Sequence, residues 1–67
     1  MTSNERIERI EQHAALRGCK LIGLGEHRGR RYYMFNDSPD QTGTTFTVYA
    51  DESFDAKLAA VRLRFCA

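Results

Sequence analysis

Two stripes of apolar residues at helical spacing, one near each end of the chain, enclose a middle stretch whose apolar residues alternate, and that order leaves few folds open. Ile7, Ile10 and Ala14 recur at i, i+3 and i+7, and Phe54, Leu58, Val61 and Phe65 at i, i+4, i+7 and i+11. Each set marks the buried face of an amphipathic helix. Between them Phe46, Val48 and Ala50 alternate with Thr45, Thr47 and Tyr49 over residues 44–50, the period of a strand with one covered face.

Two further strands precede that one. Residues 19–25 are rich in Leu and Ile, too short for a helix, and closed by Gly23 and Gly25. Those glycines suit hairpin geometry or a bulge better than a phosphate loop, since none opens a helix. Residues 30–36 are aromatic and unbroken, so with a polar loop at 26–29 the pair reads as a β-hairpin. Residues 36–43 are turn chemistry throughout, with Pro39 setting φ and Asn36, Asp37, Ser38 and Asp40 able to bond local backbone.

The helix ends carry their own signals. Thr2-Ser3-Asn4-Glu5 has capping-box spacing, Arg17-Gly18 offers a cation and a left-handed stop, and Asp51-Glu52-Ser53 supplies N-cap candidates. The expectation is one α+β domain over residues 1–67, in the order α-β-β-β-α. Short connections make the sheet a three-stranded antiparallel meander, and the helices cover a single face of it. Tyr33, Phe35, Phe46 and Val48 then point inward. Tyr32, Met34, Thr45, Thr47 and Tyr49 line the open face, which suits a homodimer or another protein contact.

A chain of 67 residues has little interior to give to a deep active site. The catalytic inventory agrees: no His stands beside a Ser or Cys nucleophile in any way the sequence reveals. His13, His27, Cys19 and Cys66 lack the close pairing of a metal site. The loop around Asp37 and Asp40 lacks the alternating oxygens and closing Glu of a calcium loop. The chain therefore reads as a non-enzymatic binding domain with no cofactor. Two distant cysteines read as reduced thiols, and no apolar run reaches membrane-span length, so a cytoplasmic protein with no membrane partner is expected.

Net charge is +1, and its distribution says more than its sum. Residues 19–35 set Lys20, Arg28, Arg30 and Arg31 against Glu26, while residues 36–56 hold Asp37, Asp40, Asp51, Glu52 and Asp55 with no Lys or Arg. Lys57, Arg62 and Arg64 follow. Patches of alternating sign favour selective electrostatic docking. The sharpest local feature is Glu26-His27-Arg28-Gly29-Arg30-Arg31-Tyr32-Tyr33, cations beside aromatic faces at a hairpin tip. It reads as a contact surface for an acidic partner or for phosphates; the alternative is a solvated hairpin kept soluble by charge. Candidate partner-binding residues are His27, Arg28, Arg30, Arg31, Tyr32, Met34 and Tyr49, with Asp37 and Asp40 on the acidic segment.

The element order, with Ile10-Glu11-Gln12-His13-Ala14-Ala15-Leu16-Arg17-Gly18, Gly25-Glu26-His27 and Ala56-Lys57-Leu58-Ala59-Ala60, resembles the double-stranded RNA-binding domain. That resemblance implies RNA contacts through His27, Arg28, Arg30, Arg31 and Lys57. Where the family clusters lysines at the start of its second helix, this chain has Ser53-Phe54-Asp55-Ala56-Lys57 behind Asp51 and Glu52, and only Lys57 matches. In size, mixed charge and lack of catalytic chemistry the chain also resembles short proteins of phages and other mobile elements, among them anti-CRISPR proteins. This resemblance implies an inhibitor that docks on a host defence complex. A protein partner is thus the first expectation, nucleic acid the second, and a structural homodimer the third.

Overall fold

The computed structural model describes residues 3–65 and follows the expected order: α1 (Ser3–Leu16), β1 (Lys20–His27), β2 (Arg30–Asn36), β3 (Thr45–Tyr49) and α2 (Phe54–Phe65). The strands form one antiparallel sheet in the order β1-β2-β3. Both helices lie over the same face. Their apolar stripes meet Leu21, Tyr33, Phe35, Phe46 and Val48 in a core completed by Ala14, Cys19 and Leu58, with Ile10, Phe54 and Val61 packed at its margin. Phe35 sits at the centre, stacked on Phe46 (5.6 Å between ring centroids) and edge-on to Phe54 (4.8 Å).

Local chemistry sets the boundaries. Gly18 takes φ +76°, and Cys19 N–H reaches back to Ala14 C=O (2.9 Å) while Gly18 N–H bonds Ala15 C=O (3.0 Å). That is the paired closure of a Schellman motif, available because glycine has no Cβ to clash there. Ser53 caps α2, its Oγ accepting from Ala56 N–H at 3.2 Å. The capping box expected at α1 involves Thr2, which lies outside the described residues.

The hairpin differs from the sequence expectation in its loop, while the glycine-bearing strand holds a bulge, one of the two roles expected of Gly23 and Gly25. The hairpin loop expected at 26–29 shrinks to Arg28 and Gly29, because β1 continues to His27 and pairs it with Arg30. Both turn residues have positive φ, 53° and 76°, the two-residue geometry whose twist matches the flanking strands. The register also shifts between Leu21 and Gly23, leaving Ile22 as the extra residue of a bulge. Downstream of it Leu24 faces the helix side opposite Tyr33, and Gly25 lies on the open side opposite Tyr32. The glycine leaves room for that ring: a Cβ there would stand 2.5 Å from the Tyr32 hydroxyl and 2.6 Å from Cζ, so any larger residue would displace the end of the Tyr32 side chain.

The long β2–β3 connection is held from inside. Asn36 is buried and clasps Gly43 twice, Nδ2 donating to its C=O (3.0 Å) and Oδ1 accepting from its N–H (2.9 Å). This arrangement satisfies a buried amide and two loop backbone groups together.

Candidate partner-binding surface

Strand alternation divides the basic hairpin between two faces. Arg30 joins Tyr32, Met34, Thr47 and Tyr49 on the open face, and Arg31 turns with Tyr33 toward the helices. The two arginines that stand together in sequence are therefore apart in space.

On the open face the charges are already used. The Arg30 guanidinium lies 4.0 Å from the Tyr49 ring centroid and bonds Asp51 Oδ1 at 2.9 Å. That bond lifts the Arg30 pKa above its usual value and holds Asp51 below the ordinary carboxylate range. Tyr32 and Tyr49 meet edge to face at 5.9 Å. Tyr32, Met34 and Tyr49 are half-buried rather than freely exposed.

The acidic segment is occupied in the same way. Asp37 accepts two bonds from Arg62, Nε at 3.1 Å and Nη2 at 2.9 Å, while Arg62 Nη2 also reaches Arg17 C=O at 2.7 Å. Asp55 receives His13 at 3.0 Å and Arg17, which join the start of α2 to the end of α1 and lower the Asp55 pKa. Glu52 pairs with Lys57 at 3.6 Å. Asp40 accepts from Ser38 and Thr42, the turn-forming role of its residue type, and those bonds lower its pKa. Asp37 is partly buried, while Asp40, Asp51, Glu52 and Asp55 are exposed, so their partners occupy the segment without removing it from the surface.

Arg9, Lys20 and Arg64 are scattered and pair with no acid among the described residues, whereas three further unpaired cations gather at the hairpin end. The guanidiniums of Arg6, Arg28 and Arg31 have no ion-pair or hydrogen-bond partner among the described residues. Arg6 and Arg31 line a cleft of about 310 Å³ between α1 and the hairpin, together with Ile7, Leu24, Glu26, Tyr32 and Tyr33. Leu24 is 55% exposed there. Arg6 and Arg31 also line a neighbouring depression with Gly29, Arg30, Ala50 and Asp51. Two free guanidiniums beside exposed apolar surface make a site that attracts carboxylates and rewards burial of an apolar side chain. Arg6, Ile7 and Leu24 were not among the residues expected from sequence; His27 and Arg28 remain at the exposed tip.

Arg28 adds a conformational observation. A non-glycine side chain at φ 53° costs about 1–2 kcal/mol relative to glycine. We expect Arg28→Gly to raise the melting temperature by about 4–8 °C per kcal/mol recovered while weakening partner binding, as thermal denaturation and a binding assay on the same sample will reveal. A gain in stability with unchanged binding would assign Arg28 no part in the surface.

Cys19 is a free, buried thiol, so no disulfide involves it. It donates to Asp37 Oδ1 at 3.5 Å. Burial first, and then that bond, push its pKa from 9.0 up to about 11. The thiol is neutral near pH 7 and unsuited to nucleophilic attack. Its folded pKa is raised, so its stabilising contribution is full below 9.0 and disappears as pH rises through about 11. Denaturant titrations should show stability falling over that window, with a shallower fall in Cys19→Ala; equal slopes would remove the thiol as the cause.

Among the described residues no group of three His, Cys, Asp or Glu side chains could hold a metal ion, and no helix is long and apolar enough to cross a membrane. No protein-family model, curated protein or solved structure matches the chain.

Proposed function

We propose that this chain is a non-enzymatic protein-binding module that docks through the hairpin end of its sheet. The observation that carries the reading is the pairing of unpartnered Arg6 and Arg31 with the apolar surface of Ile7, Leu24 and Tyr33 in one cleft. An acidic protein surface with apolar side chains satisfies both halves of that site, whereas a phosphate backbone leaves the apolar half unused. The narrower version is docking on a host defence complex, in the manner of the mobile-element inhibitors the chain resembles. It draws on small size and on the lack of a catalytic constellation.

A second reading, duplex RNA binding, draws on the guanidiniums of Arg28 and Arg31 on the β1–β2 hairpin and of Arg6 on the neighbouring α1. Against it stand Asp51, Glu52 and Asp55 at the start of α2, where phosphates would be held. Titration of duplex RNA and DNA across salt separates the two. Phosphate binding through Arg6, Arg28 and Arg31 gives log K falling against log salt with a slope of about −2.7 on duplex DNA. The protein-binding reading expects no saturable binding at low salt.

A further inference from the structure

The edge of β1 beside the cleft is open to another strand. Ala50 N–H donates to Arg31 C=O at 2.8 Å, so the main-chain groups of Arg31 and Tyr33 point to β3, and those of Arg30 and Tyr32 point to β1. By the same alternation His27 and Gly25 bond to β2, and Leu24 and Glu26 turn their N–H and C=O away from the sheet. β1 is an end strand, so these groups have no strand partner among the described residues. The other end strand is partly closed: Tyr49 N–H donates to Glu52 Oε1 and Tyr49 C=O accepts from Glu52 N–H, both at 2.9 Å.

We propose that β1 accepts an extended acidic and apolar segment of a protein partner as a fourth strand beside Leu24 and Glu26. The incoming strand places an apolar side chain against Leu24 and Ile7 and a carboxylate on Arg6 and Arg31. This rests on the protein-binding reading and specifies its mode. Main-chain bonds supply affinity in such an addition, and pockets for alternate side chains supply selectivity. Both are present together here. Glu26 is the one acid lining the cleft against two arginines, so the site favours an anionic strand. Gly25 has no side chain to obstruct the opposite face, and Tyr32 lies over it, so the incoming residue beside Gly25 meets an aromatic ring. The bulge at Ile22 bends β1 upstream and confines pairing to its hairpin half.

The test is selection of a random octapeptide display library on the folded full chain, followed by synthesis of the enriched peptides. The expected result is enrichment of alternating acidic and apolar residues, with at least tenfold slower hydrogen exchange at the Leu24 and Glu26 amides in the complex. Binding should fall at least tenfold with Arg31→Glu, and equally with peptides N-methylated at alternate residues, which leaves the protein untouched. Peptides that bind without protecting those amides, or that tolerate N-methylation, overturn strand addition but leave protein binding in place. So does a library that yields no peptide when a photo-cross-linker at position 24 still captures a folded protein. If position 24 cross-links nucleic acid alone, both the strand addition and the protein-binding reading fall.

Discussion

Phe35→Ala is expected to leave a large fraction of the chain unfolded at room temperature. The ring is 1% exposed and is the point at which β2, β3 and α2 meet, through Phe46 and Phe54. Truncating a buried Phe costs about 3–5 kcal/mol, because the lost transfer energy is joined by the cavity left behind. A domain of this size has roughly 3–10 kcal/mol of total stability. The two ranges overlap, so one substitution is enough. Urea denaturation followed by circular dichroism gives the number, and a loss below about 1 kcal/mol would mean that the core is not organised around this ring. No comparable loss follows from trimming Leu24 or Leu63, which are largely exposed.

Reversing Arg6 and Arg31 together to Glu is expected to weaken partner binding by about 100-fold or more, with the melting temperature nearly unchanged. Neither guanidinium has a partner among the described residues, so no ion pair described there is lost, and exposed substitutions of this kind stay within about 0.5 kcal/mol. At an interface the same change opposes like charges, which costs several kcal/mol, and about 2.8 kcal/mol already amounts to 100-fold. Arg30→Glu is a poorer probe, although Arg30 stands in the same basic run. It breaks the Asp51 bond and the stacking on Tyr49, so a loss of binding there mixes surface with fold.

The elements were legible because each announces its period. Ile7, Ile10 and Ala14 marked the buried face of a helix, and the alternation of Phe46 and Val48 with Thr45 and Thr47 marked the covered face of a strand. The hairpin was legible as a hairpin but not in its turn, since Arg28 is an unfavoured residue at positive φ and gave no sign of a two-residue loop. Alternation already implied that Arg30 and Arg31 face opposite ways; treating the basic run as one patch overlooked it. The internal pairing of the acids was beyond reach, because Asp37 with Arg62, Asp51 with Arg30 and Asp55 with His13 and Arg17 are joined only by the folded chain. Arg6 was missed for the same reason. On its own helix it is an ordinary solvated cation, and it becomes part of a cleft only when α1 lies over the hairpin.

The central claim is that the hairpin-end cleft meets a protein. Its most direct measurement places a photo-cross-linking amino acid at position 24, in the cleft, and separately at position 63, an exposed site on α2, with irradiation in extract of the native host. The account predicts a discrete protein adduct from position 24 that disappears when Arg6 and Arg31 are reversed to Glu, and no matching adduct from position 63. An adduct of equal yield from both positions, one that survives the double reversal, or one made of nucleic acid would contradict it.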